Sequence, residues 1–228
     1  MSTAKPPSAP ALVAGQRLRR EVFHELYEAA PPGTRAELIG GVVFMPSPVG
    51  DLHAIFTAGA NGWVWSYSCR TPGTLVADNG STALDDLTEV QPDVSLRINP
   101  EFGGQTRRLG NIVGGAPELI VEVAVSSKAV DLGPKLAEYE RAGTLEYIVL
   151  AIDPDEVCWH LLRDGRLVRV DPNPDGLYRS ATFPGLWLDP AAILANDGPA
   201  ILATLNRGLA TAEHAAFVAR LVGAERGG

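Results

Sequence analysis

Lysine is scarce in this chain of 228 residues: Lys5, Lys128 and Lys135 stand against sixteen arginines. Acidic residues outnumber basic ones, and the formal net charge is −8. A broadly basic surface that coats nucleic acid is therefore excluded, although a small basic cleft is not. Cysteine is nearly absent. Cys69 and Cys158 stand alone and far apart, which gives neither a disulfide framework nor a zinc motif and points to a reducing cytosol. No apolar run approaches the roughly 20 residues of a membrane helix. The stretch Ala11–Gly15 is too short for a secretory leader, so a cytoplasmic protein is expected. Aromatic residues make up only 7%, with no stacking platform for bases, and neither a zinc finger nor a helix-turn-helix pattern is visible. No internal repeat or heptad pattern occurs either.

What is present reads as a globular α/β chain. Apolar residues are 46% and charged residues 20%, which excludes a disordered or fibrous protein. A chain of this length buries roughly 70–75% of its unfolded surface without staples. Residues 1–16, with Pro6, Pro7, Pro10 and Gly15, read as a flexible tail. Leu18, Val22 and Leu26 predict a short amphipathic helix, ended by Pro31-Pro32-Gly33. Ala36–Ile39 and Val42–Met45 predict a β-hairpin around Gly40-Gly41. Asp51–Ser68 predicts a helix whose apolar face is Leu52, Ile55, Phe56, Trp63 and Val64. Strands are predicted over Thr74–Ala77, Val90–Ile98, Glu118–Val125 and Leu145–Ile152, with a Gly-rich loop over Asn99–Ala116. Asp131–Ala142 predicts a helix with Pro134 in its first turn and Gly143 at its C-terminal cap. It spans the crossover between two strands, which suits a right-handed parallel connection. A second hairpin is predicted around Asp164-Gly165, a short helix at Asp189-Pro190, and one or two helices between Pro199 and Arg220.

Four charged residues stand out against this background. Period-two alternation in Glu118–Val125 puts Leu119, Val121, Val123 and Val125 on one face and Ile120, Glu122 and Ala124 on the other. A carboxylate between apolar neighbours in mid-strand needs a cationic partner, a cleft or a metal, because burial alone costs several kcal/mol. A structural ion pair is the plain alternative. Asp93, in Gln91-Pro92-Asp93-Val94, opens an apolar strand or marks a solvated turn. Lys135 falls in the first turn of its predicted helix, where the macrodipole disfavours a cation by about 0.3–1 kcal/mol. It borders the stripe of Leu132, Leu136 and Tyr139, and a snorkelling surface lysine would explain it equally. Glu37 sits in the short strand Ala36–Ile39, where a solvated face is also available. Two carboxylates and a lysine sharing one cleft would suit Mg²⁺, a hard cation that needs few protein ligands.

These residues resemble a known family. Gln91-Pro92-Asp93, then Gly115-Ala116-Pro117-Glu118-Leu119-Ile120-Val121-Glu122-Val123, then Asp131-Leu132 with Lys135, Tyr139, Gly143 and Glu146-Tyr147-Ile148-Val149, look like the bacterial Uma-type restriction-endonuclease family of the PD-(D/E)XK nuclease superfamily. Glu37-Leu38-Ile39 with Gly41, and Phe183-Pro184-Gly185-Leu186-Trp187-Leu188, fit the same pattern, and the resemblance covers roughly residues 18–195. It implies an α/β (α+β) fold: a restriction-endonuclease-like core, a mixed β-sheet flanked by helices, with an N-terminal β-hairpin. It implies a nuclease domain over 17–195, and a helical C-terminal extension is expected over 196–228. It implies a Mg²⁺-dependent endonuclease acting on DNA, with Mn²⁺ as a substitute. Asp93 and Glu122 would be metal ligands with the backbone carbonyl of Val123, Lys135 the catalytic lysine, and Glu37 an accessory acid. Two departures stand out. The position two after Glu122, where the wider superfamily carries lysine, is Ala124, and Ser126-Ser127 replaces the usual Ser-Pro-Ser. A non-catalytic nuclease-fold protein and an RNA nuclease are the alternatives. A homodimer is expected, because cutting both strands of a duplex benefits from two sites. Arg107-Arg108 is the candidate phosphate contact, and Lys128 is the rival of Lys135. Lys135→Ala is expected to leave the fold nearly intact.

Overall fold

The structure is a computed structural model. It describes residues 11–225, so most of the expected tail lies outside the described residues. Of the remainder, Leu12 is buried in a cluster with Phe23, Leu38 and Val43, and the Gly15 amide donates to the Val43 carbonyl. Residues 11–16 thus lie along the first hairpin.

Helix α1 (Arg20–Glu28) turns Phe23 into that cluster. Strands β1 (Glu37–Ile39) and β2 (Val42–Phe44) form the predicted hairpin, with φ of +56° and +78° at Gly40 and Gly41. Positive φ at both turn residues matches the twist of paired strands. Helix α2 (Asp51–Ser68) has its predicted bounds and buries Phe56, Ala60, Trp63, Val64 and Tyr67. Leu52 and Ile55, predicted on its apolar face, are exposed instead, and Phe56 is the first α2 side chain to enter the core.

Strands β3 (Thr74–Asp78), β4 (Thr82–Ala83), β5 (Glu89–Val90) and β6 (Val94–Ile98) follow. The sequence predicts one strand over Val90–Ile98; the structure has two, β5 and β6, in different sheets. Pro92 lies at the break, where it has no N–H to give to a ladder. The predicted loop over Asn99–Ala116 contains a further hairpin, β7 (Arg107–Leu109) and β8 (Ile112–Gly114). Then come β9 (Leu119–Ala124), the single turn α3 (Lys128–Val130), a π-helical turn over Asp131–Lys135, and α4 (Leu136–Ala142). The helical run therefore begins at Lys128, three residues before its predicted start. Pro134 sits inside it and not in its first turn. In an α-helix the proline ring would meet the carbonyl four residues back, and the wider turn relieves that clash.

Strands β10 (Glu146–Ile152), β11 (Asp155–Arg163) and β12 (Arg166–Val170) continue the chain. The β11–β12 turn is the predicted Asp164-Gly165, with φ of +50° and +75°. A small antiparallel pair, β13 (Tyr178–Arg179) and β14 (Trp187–Leu188), precedes α5 (Pro190–Leu194), α6 (Gly198–Leu209) and α7 (Ala212–Glu225). Asp189 caps α5, its side chain accepting from the amides of Ala191 and Ala192.

The strands form two six-stranded mixed sheets. The larger has the order β12-β11-β10-β9-β6-β3, the smaller β2-β1-β5-β4-β8-β7. In the larger sheet β9 and β10 are parallel, joined by the helical crossover, and β6 pairs with β9 antiparallel. The three strands predicted to be neighbours are neighbours, less the residues of β5. One face of this sheet, with Leu119, Val121, Val123, Ile148, Leu150 and Trp159, packs against α2 and the C-terminal helices. Ile201, Leu205, Phe217 and Leu221 of α6 and α7 belong to that same core. The opposite face, with Ile120, Ala124, Tyr147 and Val149, packs against Tyr139 of α4 and against Ile39 and Val90 of the smaller sheet. The fold is a mixed α/β structure of sheets flanked by helices, as the sequence implies, but with two large sheets in place of one.

Candidate active site

Strand alternation puts Glu122 on the β9 face that looks toward α4 and the smaller sheet. It is buried, at 3% exposure. Its Oε1 accepts hydrogen bonds from Lys135 Nζ and Tyr139 OH, both at 3.0 Å. Lys135 and Tyr139 are one α-turn apart, so both side chains reach the same oxygen. The Lys135 ammonium also lies 3.1 Å from Glu37 Oε2 and 3.9 Å from Asp131 Oδ1. It is no surface lysine: only 7% of its side chain is exposed. The dipole penalty expected of a first-turn lysine does not apply, since α3 and most of the π turn precede it. Lys128 turns away and pairs with Glu156 at 2.8 Å.

Asp93 follows the Pro92 break and faces the same place. The Val123 amide donates to Asp93 Oδ2 at 2.8 Å, and the Asp93 amide donates to Glu122 Oε2 at 3.4 Å. Pairing of β6 with β9 stops at Val94–Val121, so the edge of β9 beyond that point is open to Asp93. A residue's N–H and C=O leave a strand on the same side, so the Val123 carbonyl faces Asp93 as its amide does. Glu37 is fixed by the Gln91 amide, which donates to its Oε1 at 2.7 Å. Glu37, Asp93, Glu122, Val123 and Lys135 all line one cavity of about 510 Å³. The structure thus brings the four predicted side chains together. Arg107 and Arg108 are absent from its lining; they lie on the exposed strand β7 at the far edge of the smaller sheet.

Sequence reasoning missed several groups. Asp131 sits four residues before Lys135, and Ser127 Oγ donates to its Oδ2 at 2.6 Å. Its acid–lysine spacing of four was a signal; its place at a predicted helix start hid it. His53, in the first turns of α2, puts Nε2 3.2 Å from Asp93 Oδ2 and Nδ1 3.3 Å from Thr57 Oγ1. Arg35, Asn79 and Gln91 also line the cavity. Nothing in the local sequence marks His53, Arg35 or Asn79, whereas Gln91 belongs to the motif Gln91-Pro92-Asp93.

Three carboxylates, those of Glu37, Glu122 and Asp131, crowd one ammonium here, and burial among them shifts the acidity of several groups. Burial pushes the Glu122 carboxyl well above its ordinary value; Lys135 opposes this, while Asp93, Asp131 and Glu37 reinforce it. Burial likewise raises Asp131. For Lys135 burial works against the charge, but Glu122, Glu37 and Asp131 outweigh it, and the ammonium holds its proton more tightly than usual. The hydrogen bond to Asp93 raises His53. Among the described residues no three acidic, histidine or cysteine side chains converge with ready-made metal-ligand spacing.

A family model described as "Uma2: Putative restriction endonuclease" matches residues 20–191. The chain belongs to the Uma2 family. The matched span covers every site residue named above. A crystal structure of "a putative nuclease belonging to DUF820" from Anabaena variabilis ATCC 29413 is similar to this Uma2 chain. Its TM-score is 0.59 at 18% identity, over 75% of this chain and 97% of that one. At that identity the likeness establishes a shared fold. No curated protein matches the chain. No helix among the described residues of this Uma2 protein is long and apolar enough to cross a membrane.

Proposed function

We propose that this protein is a Mg²⁺-dependent endonuclease that hydrolyses phosphodiester bonds of DNA. The observation that carries the reading is the placement of Lys135 Nζ 3.0 Å from Glu122 and 3.1 Å from Glu37, in the cavity that Asp93 also lines. A buried lysine among four carboxylates leaves an excess of negative charge, and a divalent cation would offset it. The donor set fits a hard cation: carboxylates of Asp93 and Glu122 and the carbonyl of Val123. So small a set leaves much of the shell to water, the habit of Mg²⁺. When bound, the ion would acidify a water and neutralise phosphoryl charge.

The chain's own groups divide the remaining work. Lys135 keeps its proton and acts as a cation, not a base, stabilising charge that develops on the phosphate. Glu37, held by the Gln91 amide, keeps the Lys135 side chain extended toward Glu122. The Val123 amide and His53 fix the orientation of Asp93. Two copies of the chain would be needed to cut both strands, so the homodimer belongs to this reading. Free Cys69 and Cys158 suit the cytoplasm.

A second reading is that the fold is retained without catalysis. It is favoured by the closed ion-pair network, in which Glu122 Oε1 already serves Lys135 and Tyr139. Calorimetry with Mn²⁺ separates the two. The wild type should bind Mn²⁺, while Asp93→Asn and Glu122→Gln should not; unchanged affinity in both variants overturns the site. Supercoiled DNA, linear DNA and single-stranded RNA, each offered with Mg²⁺, then test the substrate. Cleavage of RNA alone would replace DNA with RNA, and cleavage of none by a metal-bound protein would favour the non-catalytic reading.

A further inference from the structure

A strand of DNA approaching this cavity meets four carboxylates. Lys135 does little to attract it from outside, being enclosed and engaged by Glu37, Glu122 and Asp131. The other permanent cation in the lining is Arg35. It is half-buried and lies two residues before Glu37, where the chain enters β1. Among the described residues its guanidinium has one hydrogen-bond partner, Asn79 Oδ1 at 2.9 Å, and forms no ion pair. Five arginines, Arg20, Arg141, Arg166, Arg169 and Arg179, pair with carboxylates; Arg35 does not, and among the described residues it is the one arginine in the lining of this cavity.

Asn79 is itself held. Its backbone is left-handed, with φ of +50°, and its Nδ2 donates to Asp78 Oδ1 at 2.7 Å. The amide is therefore oriented with its oxygen toward Arg35. One of five guanidinium donors is used for aiming, and the fork remains for a ligand with paired oxygens. Carboxylate and phosphate both fit a fork, but the cavity's own carboxylates leave it alone. We propose that Arg35, aimed by Asn79, receives the non-bridging oxygens of a DNA phosphate entering the cavity. It is a positioning residue, and the proposal rests on the nuclease reading above.

The test reads binding and needs no cleavage. Fluorescence anisotropy of a labelled duplex oligonucleotide is measured in Ca²⁺, which takes the same kind of oxygen ligands, across a series of salt concentrations. Each phosphate contact contributes a slope of about 0.9 in log K against log salt. Arg35→Gln should weaken binding about tenfold and lower the slope by about one contact. Arg35→Lys should keep the slope and lose affinity, because an ammonium has no planar fork. If the wild type binds and Arg35→Gln keeps the wild-type slope, the Arg35 assignment is overturned and the nuclease reading stands. If Arg35→Gln fails to melt cooperatively, Arg35→Lys decides, and wild-type affinity there overturns the assignment. If the wild type binds no duplex at all, both readings fall.

Discussion

Replacing Lys135 by methionine should destabilise the protein strongly, in a way that depends on pH. Sequence alone suggests that removing this lysine leaves the fold nearly intact; its burial reverses that expectation. The ammonium lies 3.0 Å from Glu122 and 3.1 Å from Glu37. At an effective dielectric of about 20, each such pair attracts by about 5 kcal/mol. Desolvation cancels much of this, and removing one partner of a buried pair leaves a net cost of about 3–5 kcal/mol. The loss should be largest at alkaline pH. Glu122 already has a raised folded value against an ordinary 4.5, and without the ammonium it rises further. The folded variant then holds a proton that the unfolded chain releases, so stability falls as pH climbs above 4.5 toward the raised value. Urea unfolding of wild type and Lys135→Met at pH 5 and pH 8 measures both effects. The double variant Glu122→Gln, Lys135→Met should recover part of the loss, since one orphaned charge is gone. A loss below about 1 kcal/mol at both pH values would refute the claim that this ammonium holds the carboxylates together.

Other expectations are more local. Lys128 and Arg169 hold the Glu156 carboxyl down at about 2. That pair contributes stability above pH 4.5 and loses it as pH falls toward 2, so Glu156→Gln should flatten the acid limb of urea unfolding, by about 0–1 kcal/mol for so exposed a group. Gly208 of α6 faces the Gly185 carbonyl and Trp187, and an added methyl would come within 2.7 Å of Trp187 Cγ. Gly208→Ala should therefore cost about 1–3 kcal/mol in thermal or urea unfolding; an unchanged midpoint would show that α6 does not press on β14. Light scattering should return twice the monomer mass of 24.1 kDa, and the monomer mass at all concentrations would dispose of the homodimer.

The legible parts of the fold were those where one local rule decides. Alternation in β9 placed Glu122 on the right face, and Gly40-Gly41 and Asp164-Gly165 marked their turns because positive φ is expensive for other residues. Legibility failed where distant parts of the chain compete. Val90 and Val94 look like one strand, and only the sheets claim them separately across Pro92. The exposure of Leu52 and Ile55 depends on what packs over each turn of α2, and the core claims that helix only from Phe56 onward. In the sequence Asp131 and Lys135 read as the start of a helix, whereas the turn from Lys128 and a π turn put them inside one. Site residues that declared themselves did so by chemical misfit, as a charge in an apolar strand. Arg35 and His53 fit their local surroundings, and nothing short of the assembled cavity singles them out.

The division of the strands between two sheets has a consequence for how the site comes into being. Glu37 arrives with the smaller sheet, Glu122 and Lys135 with the larger, and Asp93 with the short segment that passes between them. The stretch from Asp93 to Lys135 carries the proposed metal ligands and the lysine on the larger sheet and its crossover, and Glu37 joins them only when the smaller sheet docks. Contacts spanning Glu37 to Lys135 close a long loop, so they form late and slowly relative to the hairpins. The Gln91 amide, bonded to Glu37, follows β5 and so belongs to the smaller sheet. Its hydrogen exchange reports the opening of that sheet, while exchange of the Val123 amide, bonded to Asp93, reports the larger one. During synthesis the lysine is made about a hundred residues after the first carboxylate, so a nascent chain remains without its charge cluster until the crossover helix has emerged.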